Sequence, residues 1–575
     1  MTQRVLNILH FNDVYNVEEQ KTEPRAGAAR FRTALKNHGA GDDSIVLFSG
    51  DALSPSSLST VTHGRHMPVV LNDLLITCAV IGNHDLDFGL DLFCECMEMC
   101  KFPWLNSNVF DQDTNELLAN TPAYHIVEKD GLTIGIIGLV EKEWVATLSC
   151  MDTSDVYVED VCECGRRMAR MLKQTGEDGR KPCDLVIALT HMRWPNDRKL
   201  GATVPEIDMV LGGHDHEYGL EWLDDNSDSG AHRNHTRPIL KSGTDFRTFS
   251  HIKLTYDVNV KQIIKVNIEE VVVDSRWDPD DELTKYISTL THKLEKRLDV
   301  SIGRVEVPLD ARFCAIRTRE TNVGNFLTDI ILTGVHADLA IINSGTLRAD
   351  KIFPPGDFTI RDLLNLLPML DSLVVLQVTG KQIVEALENG VSQYPKQEGR
   401  FPLVSGVRFT FDAHQPPGNR VVLSSILIQG EQIDLDRNYR ICVKHYLATG
   451  RDGYTVFADS PVLINDDDGP IFSTLVQNYF RAIQVLRGFE RCRTRHRQSI
   501  VAIAQRHRLL EKAEGESRLP VLGEDSTDNY WRKARRILIE EHELRSANVI
   551  APKVDGRITI LNADENLESK HFSLS

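Results

Sequence analysis

No stretch of this 575-residue chain approaches the roughly 18 consecutive apolar residues that a membrane-spanning helix requires. The opening MTQRVLNILHF holds one basic residue and then a strand-like run, without the long apolar segment of a secretory signal. The closing NADENLESKHFSLS is polar and offers no hydrophobic tail for a lipid anchor. Basic residues are also in deficit: 65 Lys and Arg stand against 83 Asp and Glu, a net charge of -18. Such a balance argues against non-specific binding of nucleic acid or acidic membrane, because nothing attracts a polyanion over long range. No P-loop pattern, internal repeat or low-complexity tract occurs, which weakens a kinase or ATPase reading. The eleven cysteines are an odd number spread through the chain, and free thiols are expected rather than a disulfide framework. Cys94, Cys96 and Cys100 cluster in LDLFCECMEMCK, but C-x-C on one helix points in opposing directions, so buried and flanking thiols are expected in place of a zinc site. These absences predict a cytoplasmic protein. If it acts on phosphates it must build a local positive site, and metal ions are the obvious means.

The length implies two or three domains. Strand-like runs (VLNILHF, SIVLFSG, TCAVIG, LTIGIIGLV, CDLVIALT, IDMVLGG) alternate with helix-like ones (Ala28 to His38, MPVVLNDLL, LDLFCECMEM, VCECGRRMARMLKQT). That order predicts an α/β layered domain. The polar, helix-prone DPDDELTKYISTLTHKLEKRL (278–298) reads as an interdomain helix or linker. A second set follows with LAIINSG, SLVVLQVTG, KQIVEALENGV and GVRFTFD. After Leu486 an Arg- and His-rich stretch begins, without the interleaved aromatics that stack on bases, and reads as a solvated helical insertion.

Five segments end predicted strands with metal-type residues: Asn12-Asp13-Val14-Tyr15, Ser49-Gly50-Asp51, Gly82-Asn83-His84-Asp85-Leu86-Asp87, Gly212-Gly213-His214-Asp215-His216, and His191 after VIALT. Loops at the carboxyl ends of strands in an α/β sheet converge on one crevice. Carboxylate, imidazole and amide together suit two divalent ions of the manganese, iron, cobalt or zinc type. One carboxylate can bridge ions about 3.5–4 Å apart and clamp a phosphate. Each segment alone is weak evidence, since an Asp or His after a strand is more often a cap or a satisfied polar group. The five in this order are strong evidence.

On these motifs the chain resembles the calcineurin-like metallophosphoesterases, and specifically the 5′-nucleotidase family with its own C-terminal domain. The resemblance implies that Asp13, the position of Tyr15, Asp51 and His216 hold one metal. It assigns Asp51, Asn83, His191 and His214 to the other, with Asp51 bridging. His84 would be a non-ligand donating to a phosphate oxygen in the transition state, with Asp87 orienting it. The family usually has D-x-H where this chain has Asp13-Val14-Tyr15. Either Tyr15 is a phenolate ligand, favouring a harder ion such as ferric iron and so a mixed-valence pair, or a water fills the place.

Past the linker, R-E-T-N-V-G-N-F (Arg319 to Phe326), N-S-G-T-L-R (Asn343 to Arg348) and Y-L-A-T-G-R-D-G-Y (Tyr446 to Tyr454) look like the family's C-terminal loops. Arg319 and Arg348 suit a bidentate grip on phosphate, Asn343 a polar edge, Asp452 the ribose hydroxyls, and Tyr446 a base face. Where the family sandwiches the base with a second aromatic, Met369 stands. VDGRITIL (554–561) resembles the closing strand.

The resulting expectation is an α/β protein in which a layered metallophosphoesterase sandwich domain (1–277) and a linker (278–300) precede a second α/β substrate-binding domain. The second domain would run over 301–562, with the insertion at about 488–550 and a polar tail at 563–575. The active site would lie in a cleft between the domains, with a hinge at the linker carrying substrate to the metals. The expected reaction is hydrolysis of a small phosphate monoester, foremost a nucleoside 5′-monophosphate, with no nucleic-acid or membrane partner. The alternatives are a phosphatase of sugar or glycerate phosphates, a nucleotide-sugar or cyclic-phosphate hydrolase, and a non-catalytic metal-binding scaffold. Retention of His84 and Asp87 speaks against the scaffold.

Overall fold

A computed structural model describes residues 3–486 and 550–561, apart from 42, 113, 146–147, 149–154, 177–178, 224–236 and 336. The chain divides into two compact units, Met1–Lys296 and Arg297–Ser575.

The first unit is built on two six-stranded sheets. In one, the strands run in the order Gln262–Val272, Thr248–Asp257, Gln3–Phe11, Ile45–Phe48, Cys78–Val80, Trp104–Leu105. In the other the order is Tyr218–Trp222, Pro238–Ser242, Met209–His214, Leu185–Met192, Leu132–Val140, Tyr124–Lys129. The central strands of each sheet are parallel; antiparallel strands close both edges of the second sheet and one edge of the first, whose other edge, Trp104–Leu105, is parallel to Cys78–Val80. Ile45–Phe48, Cys78–Val80 and Leu185–Met192 are buried along their whole length. That is why these segments read as continuous apolar runs without alternation: both faces of a parallel strand are covered. The sheets face each other where Cys78–Val80 packs against Leu132–Val140 and Leu185–Met192. Helices cover the outer faces. Ala28–Asn37 buries Ala28, Phe31, Ala34 and Leu35, and Val161–Leu172 buries Val161, Cys164, Met168 and Leu172. Both stripes follow the helical period. Asp160 starts the second helix by accepting from the amides of Cys162 and Glu163.

The helix Leu90–Met99 buries Cys96, while Cys94 and Cys100 are half-buried, and the nine described cysteines are all free. The polar segment after residue 278 forms the helix Asp281–Arg297.

In the second unit a five-stranded sheet runs Pro402–Ser405, Leu339–Asn343, Asn438–Lys444, Leu373–Thr379, Val462–Ile464. Successive residues feed different cores. Ala340, Ile342, Val375 and Cys442 join one apolar cluster, and Leu339, Ile341, Val374 and Ile441 the other. The sheet is therefore buried on both faces. The helix Asn322–Gly334 is buried from Val323 to Gly334, and its polar side chains are paired inside: Asn325 donates to Glu320, Thr328 to the Val404 carbonyl, and Asp329 accepts from Ser405 and Arg557. Ile558–Leu561 adds in parallel to Val407–Asp412, and the buried Arg557 guanidinium reaches Asp329 at 2.7 Å. The residues read as a helical insertion lie outside the described residues, apart from Ile550 at their far end. No described helix is long and apolar enough to cross a membrane.

Candidate metal and phosphate site

In the first unit, the chain leaves five parallel strands at their carboxyl ends carrying polar residues: Asp13 after Gln3–Phe11, Asp51 after Ile45–Phe48, Asn83 and His84 after Cys78–Val80, and His191 and His214 at the ends of their own strands. One ligand atom each from Asp13, Asp51 and His191 lies within 4.8 Å of the others, and all three residues are buried. Tyr15 Oη lies 3.0 Å from Asp13 Oδ1, 3.1 Å from Asp51 Oδ2 and 3.0 Å from His216 Nε2. Asn83 Oδ1 lies 3.0 Å from His191 Nε2, and that nitrogen is 3.3 Å from Asp51 Oδ2. His214 is tied in through its backbone, whose N–H donates to Asp13 Oδ2 at 2.9 Å. The fold thus brings Asp13, Tyr15, Asp51, Asn83, His191, His214 and His216 to one place.

The backbone concedes strain there. Asp13, Asp51 and His214 have φ of 51°, 65° and 75°, a region that L-residues rarely occupy. Close approach requires glycine as well: a Cβ at Gly82 would meet Asp51 Oδ1 at 2.0 Å, and one at Gly213 would meet the Ser49 carbonyl at 2.3 Å. Burial opposes ionisation of Asp51, yet the charges of His191 and His84 outweigh it and hold the carboxyl well below its usual range. His191 is pushed up to about 9: burial disfavours its charge, but the Asp51 carboxylate dominates. Two buried carboxylates with imidazole and amide oxygen around them demand positive charge, and this donor set fits divalent cations.

His84 Nδ1 pairs with Asp87 Oδ2 at 3.0 Å, and its amide donates to Asp51 Oδ1 at 2.8 Å. Asp87 is not the cap of the following helix, whose N-cap is Gly89. Its carboxylate is engaged by His84.

Reading the sequence missed several residues that hold this arrangement. Asp85 is buried and accepts from the amides of Asp51, Ala52, Leu53 and Gly82 at 2.8–3.2 Å, which fuses two of the loops. Its place inside G-N-H-D was the available signal. Lys241 is fully buried; its ammonium donates to the carbonyls of Met192 and Gly213 at 2.5 and 2.6 Å and pairs with Asp197 and Asp215 at 2.9 Å. Nothing in PILKSG marks that lysine as interior.

The second unit gathers another polar group. Asp452 accepts from Asn343 Nδ2 at 2.7 Å and from Tyr446 Oη at 3.0 Å. Thr346 Oγ1 donates to Asn343 Oδ1 at 2.8 Å. Tyr446 is 42% exposed, so a ring face is open, and Met369 is 56% exposed. Arg348 is exposed; its charge, together with burial, lowers the pKa of Arg317, which lies over the Phe313 ring at 3.9 Å. The charge of Arg319 acts instead on Asp310. Arg317 was not singled out in the sequence, and it is the arginine whose field couples to Arg348.

Fold and site together define a metallophosphoesterase. A family model described as "Calcineurin-like phosphoesterase" matches residues 6–218, and one described as "5'-nucleotidase, C-terminal domain" matches residues 301–459. The chain belongs to the 5′-nucleotidase family, whose members join these two domains, and it is a metal-dependent phosphoric ester hydrolase. It is 27% identical over 497 residues to the trifunctional nucleotide phosphoesterase protein YfkN of Bacillus subtilis, a match that covers 79% of this chain but 32% of that protein. It is 25% identical to the 5′-nucleotidase of Vibrio vulnificus, over 80% of this chain and 87% of the relative. The human 5′-nucleotidase is 23% identical, over 84% of this chain and 89% of the relative. Among solved structures the NAD nucleotidase of Haemophilus influenzae shares the fold, with a TM-score of 0.67 at 19% identity over 84% of this chain and 97% of that one.

Proposed function

We propose that the chain hydrolyses nucleoside 5′-monophosphates to nucleoside and phosphate, with little preference among bases, and that it does so in the cytoplasm. The observation that carries the reading is the buried Asp13–Asp51–His191 cluster with the His84–Asp87 pair beside it. Relatives named as nucleotidases support the substrate class.

Asp13, Asp51 and His216 are proposed to hold one divalent ion, and Asp51, Asn83, His191 and His214 the other. A pair of such ions supplies a strong nucleophile at neutral pH and charge for the phosphoryl oxygens. Tyr15 is assigned as a neutral donor to the two carboxylates, because its hydroxyl already lies within hydrogen-bonding distance of both. His84 donates a proton or hydrogen bond to the leaving or equatorial oxygen, and Asp87 fixes its ring and favours its charged form. That pair also counts against a scaffold without catalysis, which has no use for an acid aimed beside the metals. In the second unit, Arg348 and Arg319, with Arg317 beside Arg348, are assigned to phosphate oxygens, Asp452 and Asn343 to the sugar, and Tyr446 to the base.

One observation favours a second reading. The exposed thioether of Met369 stands where the family has an aromatic, so the base gains less than the usual stacking of about 1–3 kcal/mol. Sugar or glycerate phosphates would then compete. The test is phosphate release from AMP, other nucleotides, sugar phosphates, glycerate phosphates and nucleotide sugars with manganese present. Turnover of AMP is expected. Failure on every nucleotide with good turnover of a sugar or glycerate phosphate replaces the proposal with the second reading.

A further inference from the structure

The strand Leu132–Val140 lies beside Leu185–Met192 and, like the metal-bearing strands, ends in a polar residue, Glu141. Glu141 is 1% exposed. One carboxylate oxygen, Oε2, is spoken for: it accepts from the Arg193 amide at 2.9 Å and from Asn196 Nδ2 at 2.7 Å. The other, Oε1, is buried without a hydrogen bond and lies 3.6 Å from His214 Nε2 and 3.7 Å from Arg193 Nε. A buried carboxylate oxygen left unmatched is costly, and native proteins keep such atoms where a function requires them.

We infer that Glu141 is a positioning residue for the metal centre: its Oε1 receives the Nε2–H of His214, fixes that ring's tautomer, and so presents Nδ1 as the nitrogen that would hold an ion. The inference rests on the proposed role of His214 as a ligand. Ligating imidazoles characteristically give their second N–H to a carboxylate, which orients the ring and raises its basicity. Two features of Glu141 suit that task. Its second oxygen is clamped by the start of the helix Trp194–Thr203, so the carboxylate cannot swing away. Its other oxygen lies between the Arg193 guanidinium and a candidate ligand, His214, a placement that capping the helix alone does not require. The other histidine of the cluster is oriented differently, by Nδ1 against the Ser49 carbonyl at 2.8 Å. The two imidazoles therefore carry different second partners, one a neutral carbonyl and one an anion.

The test uses the whole chain, stripped of metal and titrated with Mn²⁺ by calorimetry, with the Tm of the metal-free protein measured alongside. Three variants are compared. Glu141→Gln keeps an acceptor for the Arg193 amide but removes the charge facing His214. Asn196→Ala loosens the clamp and leaves that charge. His214→Ala removes the ligand. Glu141→Gln is expected to weaken the tighter Mn²⁺ site by about 10–100-fold, with the metal-free Tm near wild type, and Asn196→Ala to weaken it far less. Since the ligand lost and the ring misoriented are one unit, Glu141→Gln should add little in the His214→Ala background. If His214→Ala abolishes tight binding while Glu141→Gln leaves it intact, the inference is overturned and the ligand assignment stands. If His214→Ala itself leaves Mn²⁺ binding unchanged, the ligand assignment falls and the inference with it. Should Glu141→Gln lower the metal-free Tm and Mn²⁺ affinity no more than Asn196→Ala does, the residue only caps the helix.

Discussion

At the scale of single residues, the proposed roles separate groups that hold charge from one, His84, that moves a proton. His84 pairs through Nδ1 with Asp87 at 3.0 Å and donates its amide to Asp51 Oδ1 at 2.8 Å, which suits a proton donor beside the cluster. His84→Ala is therefore expected to lower kcat by roughly 10²–10⁴-fold, the usual contribution of a general acid, while the metal content measured by mass spectrometry stays near wild type. Loss of the ions with the side chain would make His84 a ligand instead. Asp51→Asn should do the reverse and lose tight metal binding at once, because it halves the negative charge of the cluster. Tyr15 gives a sharper distinction. As a neutral donor it leaves the purified enzyme colourless, and Tyr15→Phe retains its metals. A visible phenolate-to-iron band that vanishes in Tyr15→Phe would refute that assignment and establish the phenolate.

At the scale of elements, the ligand loops are held by interior polar groups more than by apolar packing. Lys241 has no solvent exposure and joins the ends of Leu185–Met192 and Met209–His214 through the Met192 and Gly213 carbonyls. Its charge is matched by Asp197 and Asp215. Lys241→Met would leave those carboxylates and carbonyls without their cation, and removing one member of a buried ionic group costs about 3–5 kcal/mol. The expected outcome is a loss of that size in urea unfolding of the first unit, together with weaker metal binding. A near-neutral result would mean that water replaces the ammonium. Gly82 acts by what it omits: with Asp51 Oδ1 2.0 Å and the Asp51 amide nitrogen 2.6 Å from where a Cβ would lie, Gly82→Ala must displace both the carboxylate and its backbone. Metal affinity should fall, and the Tm with it.

At the scale of the whole molecule, the proposed roles divide between the units, with the metal cluster in the first and the residues assigned to sugar and base in the second. Chelation should abolish activity and manganese restore it, whatever the substrate. Discrimination should instead respond to the second unit. Met369→Phe is expected to raise kcat/KM for AMP by up to about tenfold, equivalent to about 1.4 kcal/mol, and to leave a small sugar phosphate unaffected. Tyr446→Ala should penalise AMP more than the sugar phosphate. Equal penalties in steady-state assays would remove the base from the role given to Tyr446, and with it the main support for nucleotide preference.

The sequence alone determined the alternation of strands and helices in the first unit, because buried parallel strands are continuous apolar runs and amphipathic helices keep a period. It also marked the segments of the candidate site, because five strand ends carry Asp, Asn or His in one order, although any one of them alone passes for a cap. It could not show that Asp85 fastens one loop to another, that Lys241 is interior, or that Glu141 faces His214. Each of these is decided by which strand ends become neighbours in a sheet, and residues about 30 to 70 positions apart carry no local sign of that. Arg317 has the same character: it precedes the R-E-T-N-V-G-N-F motif, and only the path of the folded chain brings it into the field of Arg348.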